Sequence, residues 1–456
     1  MQTRDDTSAT DTGFTTLIVG LGTTGVSCAR YLRARGVRVA VTDSRAAPPG
    51  LVALRAELPE VPIFTGAFPP ALFAAARELV VSPGVPVAEP LIQEALARGV
   101  PVLGDVALFA RAARAPICAI TGSNGKSTVT TLVGQMAEAC GRRVAVGGNL
   151  GEPVLDLLDE DVDLYVVEVS SFQLETTPEL PARAAVCLNV SADHLDRYPD
   201  LDAYTAAKAR IYQDAEVAVI NRDDPRVAAM PRRADREIGF TLAAPVGDDY
   251  GACDRGNRPW LCRGSATLLP EDQLPMPGRH NLANALAALA LAEACGLEQG
   301  PCLDALTRFG GLDHRSQLVV ERGGVRWYDD SKGTNPGAAV AALEGLVPPG
   351  AAHRAVLIAG GDGKGADFAP LVPAVERTAR AVVLIGRDAP RIAETLEGVT
   401  EILRAQDMDE AVALAAGAAR PGDCVLLSPA CASFDMFENF QHRGRVFAEA
   451  VRSLAP

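Results

Sequence analysis

Apolar runs that end in glycine-rich turns recur three times along the chain. The segments are TTLIVGLGTTG at 15–25, APICAITGSNGKST at 115–128 and AHRAVLIAGGDGKG at 352–365. Each run has the length of a buried strand, and a helical pattern follows the turn. Strands that alternate with helices predict parallel sheets covered by helices, so the expected fold class is α/β.

Two other segments complete the pattern. Residues 239–270 predict short antiparallel strands, and an Ala- and Leu-rich segment predicts one helix that starts near Asn281 and stops at Gly296. The chain has 456 residues, too many for one ordinary core, so about two to four domains are expected. We expect boundaries near 105–115 and near 310.

Composition narrows the class of protein. Hydrophobic residues make up 48% and charged residues 22%, as in ordinary globular proteins, and the net charge of −14 argues against a nucleic-acid or anionic-membrane partner. Residues 1–13 lack the basic and apolar segments of a secretory signal, and no apolar stretch is long enough to span a bilayer. The ten cysteines show no zinc-like spacing, which favours reduced thiols in a cytoplasmic protein.

Lysine is rare in this chain. Of 43 basic residues only four are Lys, at positions 126, 208, 332 and 364. A chain that uses Arg elsewhere would keep Lys where a guanidinium cannot substitute, as a compact phosphate-binding charge or a modifiable amine.

The loop TGSNGKST almost matches a phosphate-binding loop, whose pattern is G-x-x-x-x-G-K-[ST]. The first glycine of that pattern would fall on Ile120, and the chain offers Gly122 instead. Backbone N–H groups of residues 122–126 can still converge on phosphate at a helix N-terminus. Lys126 would then reach the terminal phosphates, and Ser127 or Thr128 could coordinate magnesium.

Charged side chains follow the strands after this loop. Glu168 ends an apolar run, as expected for either a metal-binding acid or a solvated strand end. His194, in a loop after the next strand, is as well explained by a structural role as by magnesium ligation. Lys208 lies on the following helix, where a carbamate on its amine would create an anion suited to a second magnesium ion.

A further polar group follows position 310. Arg315 could stabilise charge on a phosphoryl group in transfer, Asp330 could bind a ribose, and Lys332 could neutralise phosphate. A salt-bridged linker between domains would explain the same residues. In the last domain, Lys364, Ser433 and Arg443 could bind a small acidic substrate.

The first glycine-rich turn has its own interpretation. Gly20, Gly22 and Gly25 form G-x-G-x-x-G after a strand, and Asp43 ends the next strand. Taken alone, this pattern predicts a nicotinamide dinucleotide site.

Nine motifs in order resemble the Mur ligases of bacterial cell-wall synthesis, and the resemblance covers the chain from about Thr15 onward. They are TGSNGKST, EVSSFQLE, SADHLDRY, AAKARIY, HNLANALAA, DHRSQ, DSKGTNPGA, GGDGKGADF and LLSPACASFDMFENFQHRG. The displaced glycine is the form that this family has. The N-terminal GLGTTG, TDSR and SPGVP resemble the branch of the family that adds D-glutamate.

The resemblance implies three domains. Residues 1–105 would form a Rossmann-like domain for the UDP-linked substrate, residues 106–311 a P-loop-type ATP-binding domain with a small antiparallel sheet, and residues 312–456 a Rossmann-like domain for D-glutamate. Two departures from the family pattern stand out, Gly333 where Ala is expected and Phe434 where Leu is expected.

The resemblance also implies residue roles. The UDP-linked substrate would contact Thr23, Thr24, Asp43, Ser44, Arg45, Ser82 and Gly84. Asn149 matches a substrate-contacting position of the family, and Ser170 is near enough in the sequence to help bind phosphate in the substrate site. ATP would contact Gly122, Ser123, Asn124, Gly125, Lys126, Ser127, Thr128, Asn281, Asn284, Arg315, Asp330, Lys332 and Thr334. D-glutamate would contact Lys364, Ser433, Phe434 and Phe440. Two magnesium ions would be held by Ser127, Glu168, His194 and a carbamylated Lys208. The residues that act in catalysis would be Lys126, His194, Lys208 and Arg315.

The implied activity is that of a monomeric, cytoplasmic ATP-dependent amide ligase of peptidoglycan precursor synthesis. It would join D-glutamate to UDP-N-acetylmuramoyl-L-alanine through an acyl phosphate and release ADP and phosphate. A folylpolyglutamate-type ligase is the main alternative, since it shares the ATP loop and also joins a glutamate. A nicotinamide dehydrogenase would leave TGSNGKST unused, and a binding protein gated by ATP is the third class.

Overall fold

The computed structural model describes residues 13–256, 258–276, 278–348 and 350–454. Within them the chain forms three sheets, one after another along the sequence, with helices between the strands. The predicted α/β class is confirmed. Residues 1–12, which carry most of the segment used to argue against a secretory signal, lie outside the described residues.

The first sheet has five parallel strands in the order β3-β2-β1-β4-β5. The order reverses between β1 and β4, so the carboxyl ends of these strands flank the crevice where open α/β sheets bind ligands. The strands are β1 (Thr16–Val19), β2 (Val39–Asp43), β3 (Ile63–Thr65), β4 (Glu78–Val81) and β5 (Val102–Leu103). The helices are α1 (Thr23–Ala34), α2 (Leu51–Glu57), α3 (Pro70–Ala75), α4 (Pro90–Ala97) and α5 (Asp105–Ala112).

The second sheet has nine strands in the order β14-β13-β12-β11-β10-β9-β6-β8-β7. The strands are β6 (Ile117–Thr121), β7 (Val144–Gly148), β8 (Leu164–Glu168), β9 (Ala184–Cys187), β10 (Val217–Asn221), β11 (Arg236–Phe240), β12 (Tyr250–Arg255), β13 (Arg258–Arg263) and β14 (Ala266–Pro270). The helices are α6 (Lys126–Ala139), α7 (Ser171–Glu175), α8 (Leu201–Ala209), α9 (Pro225–Ala228), α10 (Arg279–Ala294) and α11 (Gln299–Arg308). The predicted antiparallel strands are present as β12 to β14 and extend this sheet at one edge, and the predicted Ala- and Leu-rich helix is α10.

The third sheet has six strands in the order β15-β16-β20-β17-β18-β19, and only the β15–β16 pair is antiparallel. The strands are β15 (Gln317–Arg322), β16 (Val325–Asp329), β17 (Ala355–Gly360), β18 (Ala379–Ile385), β19 (Glu401–Arg404) and β20 (Cys424–Leu427). The helices are α12 (Pro336–Leu346), α13 (Leu371–Thr378), α14 (Ala389–Thr395), α15 (Met408–Ala418) and α16 (Phe440–Ser453).

The first two sheets share a hydrophobic core, whereas the third sheet has cores of its own. One cluster runs from Ile18 and Val41 of the first sheet to Ile117 and Val167 of the second. The buried clusters of the third sheet contain residues from Val325 onward only. The third sheet is therefore a separate packing unit, and polar contacts described below tie it to the second.

One expectation about the cysteines is wrong. Cys253 and Cys262 form a disulfide between the neighbouring strands β12 and β13, while the eight other cysteines are free. The antiparallel hairpin brings these two residues together, and their spacing of nine in the sequence matches no motif that would have revealed it. No helix in the described ranges is both long and apolar enough to cross a bilayer.

A buried carboxylate, Asp105, lies where the first sheet leads into the second. Gln173 donates to its Oδ2 at 2.9 Å, while its Oδ1 is buried without a hydrogen-bond partner among the described residues. Burial raises the pKa of Asp105 from 3.8 to about 6. The folded protein therefore holds this proton more tightly than the unfolded chain, so the stability from this group is greatest at low pH and declines as pH rises between about 4 and 6.

We predict that Asp105→Asn removes this pH dependence. As pH rises from 4 to 7.5, the free energy of unfolding of the variant should increase relative to that of the parent by up to about 3 kcal/mol. Urea unfolding at a series of pH values measures the difference. Asp423→Asn is the control, and its stability relative to the parent should change with pH in the opposite direction. Burial alone would raise the pKa of Asp423, but hydrogen bonds from Arg380 and from backbone N–H groups hold this pKa below its ordinary value. A difference between Asp105→Asn and the parent that stays constant with pH would contradict the assignment.

Candidate active site

The loop between β6 and α6 requires both of the glycines that the sequence places there. Gly122 has φ of +152° and Gly125 has φ of +84°, which favour glycine. A Cβ atom on Gly125 would lie 2.4 Å from Oδ1 of Asn284, and one on Gly122 would lie 3.0 Å from Cβ of Leu188. The loop therefore turns tightly into the N-terminus of α6, where the helix dipole favours an anion.

Two N–H groups of this loop are used within the protein. Ser123 donates its N–H to the carbonyl oxygen of Asn189 at 3.0 Å, and Asn124 donates its N–H to Oδ1 of Asn189 at 2.9 Å. Asn189 follows β9, which pairs with β6, so the sheet brings it beside the loop. The expectation that N–H groups throughout residues 122–126 face a phosphate therefore needs revision at these two positions.

Two lysine ammonium groups meet one carbonyl oxygen of the loop. Lys126 donates to the carbonyl oxygens of Gly122 at 2.9 Å and Ser123 at 3.1 Å, and Lys208 donates to the same Gly122 oxygen at 2.9 Å. Lys208 is only 1% exposed, and its Nζ lies 4.5 Å from the ring centre of Tyr204. Burial first and the charge of Lys126 second lower the pKa of Lys208 to about 7. Near neutral pH a large fraction of this amine is therefore uncharged.

Glu168 supplies the carboxylate beside the loop. It ends β8, which pairs with β6, and Asn149 donates to its Oε1 at 2.6 Å. Its Oε2 is buried and has no hydrogen-bond partner within the described part of the chain. An unpaired buried carboxylate oxygen fits a divalent cation, and Ser127 lines the same cavity as Glu168.

The remaining ligands of such a cation would not come from a protein cage. The described residues contain no group of three or more His, Cys, Asp and Glu side chains that could hold a metal ion. Magnesium ordinarily keeps several waters and takes phosphate oxygens in addition to one or two carboxylates. The donor set is therefore suited to an ion that arrives with a nucleotide.

His194 lies in a small pocket near these groups. Its ring centre is 4.8 Å from that of Phe172, and its Nε2 is 3.7 Å from the carboxylate of Asp193. Burial lowers the pKa of His194, which favours the neutral imidazole that a metal ligand needs. Lys364 and Thr334 line the same pocket as His194. Thr334 is predicted to contact ATP, but it does not line the cavity of about 320 Å³ that holds most of the predicted ATP contacts.

The third sheet contributes Arg315 before β15, and Asp330 and Lys332 after β16. Arg315 donates to the hydroxyl of Ser127 at 2.8 Å and so bridges the third sheet to the loop. Asp330 accepts a hydrogen bond from Ser428 at 2.6 Å, and burial raises its pKa to about 7. These residues bring the second and third sheets together around one site.

All four lysines of the chain belong to this region. Lys126 and Lys208 share a carbonyl oxygen, and burial, followed by the charges of Arg315 and Lys126, lowers the pKa of Lys332 to about 8. The charge of Lys364 contributes to the same lowering. The role of these lysines in phosphate chemistry stays a prediction.

Two cavities meet at the loop. One of about 320 Å³ is lined by eight of the predicted ATP contacts, Asn124, Gly125, Thr128, Asn281, Asn284, Arg315, Asp330 and Lys332. It is also lined by residues that the sequence did not single out, Asn189, Asn221, Phe240 and His280. A second cavity of about 830 Å³ is lined by the predicted residues Ser127, Asn149, Glu168, Arg315, Lys332 and Phe440. Arg315 and Lys332 line both, so a chain of phosphates could pass from one cavity to the other.

Seven residues predicted to contact the UDP-linked substrate follow strands of the first sheet, at its crevice; they are Thr23, Thr24, Asp43, Ser44, Arg45, Ser82 and Gly84. Asn149 and Ser170 instead follow strands of the second sheet. Thr23 and Thr24 begin α1. Asp43 accepts the N–H of Leu21 at 2.7 Å, and Ser82 donates to the carbonyl oxygen of Gly20 at 2.9 Å. Asp43 and Ser82 therefore shape the glycine-rich loop, while the exposed members of the set are Thr23, Ser44, Arg45 and Gly84.

Other predicted side chains have structural partners. The Ser170 hydroxyl caps α7 by accepting the N–H of Gln173 at 3.2 Å. Ser433 is buried, whereas Phe434 is 72% exposed. Arg443 is 1% exposed and donates all of its hydrogen bonds to protein oxygens, so its guanidinium is not a free donor for a substrate.

Three family models match the chain in order. They are Mur ligase MurD-like, N-terminal domain, over residues 14–104; Mur ligase middle domain over 120–292; and Mur ligase, glutamate ligase domain, over 314–431.

Curated relatives match almost the whole chain. The UDP-N-acetylmuramoylalanine–D-glutamate ligase of Nitrosococcus oceani is 55% identical over 441 residues, which is 96% of this chain and 97% of the relative. The protein of the same name from Pseudomonas aeruginosa is 52% identical over 96% of this chain and 98% of its own length.

Solved structures share the fold at lower identity. The UDP-N-acetylmuramate-alanine ligase of Thermotoga maritima has a TM-score of 0.59 at 20% identity and covers 96% of this chain and 99% of its own. The E. coli FolC complex with DHPP and ADP has a TM-score of 0.58 at 20% identity over 77% of this chain and 94% of its own. Because the family models and the relatives together extend over nearly the full length, the chain belongs to the Mur ligase family.

Proposed function

We propose that this chain is the D-glutamate-adding ligase of its family. It forms an amide between UDP-N-acetylmuramoyl-L-alanine and D-glutamate at the expense of ATP, with ADP and phosphate as the other products, in peptidoglycan precursor synthesis. Relatives that carry this activity in their names are 51–55% identical over 96% of the chain. The structural observation that carries the proposal is the contact of Arg315 with Ser127, which brings cationic groups of the second and third sheets to one phosphate-binding loop.

The proposed domain division follows the three sheets. Residues 1–105 bind the UDP portion at Thr23, Thr24, Asp43, Ser44, Arg45, Ser82 and Gly84. Residues 106–311 bind ATP, and residues 312–456 bind D-glutamate. The protein acts in the cytoplasm as a monomer.

ATP is proposed to occupy the 320 Å³ cavity with its adenosine. Asn281, Asn284 and Asp330 line this cavity. Asn281 and Asn284 would accept and donate hydrogen bonds to the base, and Asp330 would bind the ribose hydroxyl groups. The triphosphate then extends along Arg315 and Lys332 to Lys126. This path uses the junction of the two cavities, where positive charge is concentrated.

The reaction must first activate a carboxylate, whose negative charge resists attack by an amine. Lys126, Arg315 and Lys332 stabilise the charge that spreads over the γ-phosphoryl group during its transfer to the L-alanine carboxylate. The resulting acyl phosphate has a good leaving group, and the neutral amine of D-glutamate attacks its carbon as phosphate departs. Approach of the third sheet to the second excludes water that would hydrolyse the intermediate.

Magnesium would be held by Ser127, Glu168 and His194, and it would neutralise phosphate charge during transfer. The unpaired Oε2 of Glu168 and the neutral ring of His194 support this assignment. A second ion would require an additional anion, which a carbamate on Lys208 would supply. The burial of Lys208 at 1% exposure supports that modification, since a carbamate forms on an uncharged amine.

The acidic co-substrate is proposed to bind at the third sheet. Lys364 and Ser433 lie on neighbouring loops, joined by the bridge between Asp362 and Ala432. Phe434 follows Ser433 directly in the chain, and the ring of Phe440, at the start of α16, lies 4.1 Å from Nζ of Lys332. Asn149 and Ser170 would contact the muramoyl-alanine portion from the second sheet.

The activity is tested by product formation with each glutamate enantiomer. With UDP-N-acetylmuramoyl-L-alanine, ATP and magnesium, the amide should form with D-glutamate and not with L-glutamate, with one phosphate released per product. Each substrate omitted in turn serves as the control. Turnover with a folate acceptor but not with the UDP-linked substrate would contradict the proposal and favour the folylpolyglutamate-type alternative.

The carbamate on Lys208 makes a separate prediction. Lys208→Arg should lower turnover by at least about 100-fold, because a guanidinium cannot carry a carbamate at neutral pH. Lys208→Ala should regain activity when a short carboxylic acid is added, since the acid supplies the missing anion. Arg226→Lys, a cationic exchange at an exposed ion pair on α9, is the control and should retain full activity.

A direct readout accompanies these variants. The parent protein equilibrated with ¹³C-labelled bicarbonate should show a carbamate carbon resonance that Lys208→Arg lacks. Full activity of Lys208→Arg would exclude a required carbamate. Full activity of the parent after removal of carbon dioxide, with no carbamate signal in its spectrum, would exclude it as well.

A further inference from the structure

Two free thiols face each other at the end of α6 that is farthest from the phosphate-binding loop. Cys140 is the residue that follows α6, and Cys302 lies on α11, 162 positions later in the sequence. Their sulfur atoms are 3.9 Å apart. A disulfide needs a sulfur–sulfur distance of about 2.05 Å, so the two sulfur atoms would have to approach each other by roughly 2 Å for the bond to form.

The two thiols differ in exposure. Cys302 is 1% exposed, whereas Cys140 is half-buried and reaches the surface. The pKa of Cys302 is raised to about 12, mainly because the thiol is buried and to a smaller extent because Cys140 lies beside it. An oxidant in solution therefore meets Cys140 first, with Cys302 directly behind it. This is the arrangement of an attacking and a resolving cysteine.

We propose that Cys140 and Cys302 are a modification site that a hydroperoxide converts to a disulfide. The Cys140 sulfur attacks the terminal oxygen of the O–O bond, which breaks to give a sulfenic acid and, from hydrogen peroxide, one water. The Cys302 sulfur then attacks the Cys140 sulfur, the S–S bond forms, and the sulfenic oxygen leaves as a second water. Two thiols lose two electrons and two protons, and the peroxide is reduced.

The bond would fasten α11 to α6 through a closed loop of more than 150 residues, within the second sheet's hydrophobic core. A cross-link across so long a segment restricts the unfolded chain. Because α6 has 14 residues, the bond would lie about 20 Å from Lys126. We therefore expect the oxidised protein to be more resistant to heat, with no direct contact between the bond and the ATP-binding groups.

The experiment treats the full-length protein with hydrogen peroxide and maps its cysteine peptides by mass spectrometry. The expected result is an intramolecular cross-link between Cys140 and Cys302, together with a rise in Tm of roughly 5 °C. Cys140→Ser should abolish both changes. Cys302→Ser should instead leave a sulfenic acid on Cys140 that dimedone traps.

Cys295→Ser is the matched control, because Cys295 is a half-buried thiol in the same domain and contacts the different partner Cys118. That variant should keep the Cys140–Cys302 cross-link. The proposal is overturned if peroxide leaves Cys140 unmodified, converts it to sulfinic acid without a cross-link, or joins it to a second protein molecule.

Discussion

The close approach of basic side chains around one loop is the constraint on which the rest of the structure depends. Lys126 and Lys208 donate to one carbonyl oxygen, and Arg315 approaches the same loop from another sheet. Burial and mutual repulsion lower the pKa values of Lys208 and Lys332 to about 7 and about 8. Lys126, Lys332 and Arg315 form a group of cations that is costly without a counter-charge, and a bound triphosphate supplies one. Repulsion between these cations raises the free energy of the protein without a ligand. Binding of a triphosphate relieves this repulsion and is favoured by it.

The fold assembles these charges because parallel strands end at one edge of a sheet. In the second sheet β9, β6 and β8 are neighbours, so Asn189, the phosphate-binding loop and Glu168 emerge side by side. The third sheet has its own hydrophobic cores, and it reaches the loop through polar groups on the segments that flank β15 and β16. Asn335 adds a second polar connection, since it donates to Asn124 at 3.0 Å and to Asp193 at 3.2 Å. A separate packing unit can change its position when a ligand alters the contacts between it and its neighbour.

The sequence predicts those parts of the site that depend on local pattern. An apolar run followed by glycines predicts β6, its loop and α6, and an apolar run that ends in a carboxylate predicts Glu168 at a strand end. Lys208 and Lys332 were singled out by the rarity of lysine. Asn189 and Asn335 were missed because their partners are near them only after the sheets form. The disulfide between Cys253 and Cys262 was missed for the same reason.

Some assigned side chains have other partners that local pattern cannot reveal. Ser170 caps a helix of five residues, and the guanidinium of Arg443 is buried among protein oxygens. Polar residues in a motif can serve the backbone or a ligand, and only three-dimensional contacts distinguish these uses.

The rarity of lysine allows one direct measurement of the central claim. Protein labelled with ¹³C at lysine Cε has only four such side chains, so its NMR spectrum should contain four signals that single Lys→Arg variants assign. Addition of a non-hydrolysable ATP analogue with magnesium should shift the Lys126 and Lys332 signals and raise the pKa of Lys332, because phosphate charge offsets the repulsion. Binding of the analogue with both signals and that pKa unchanged would contradict the account.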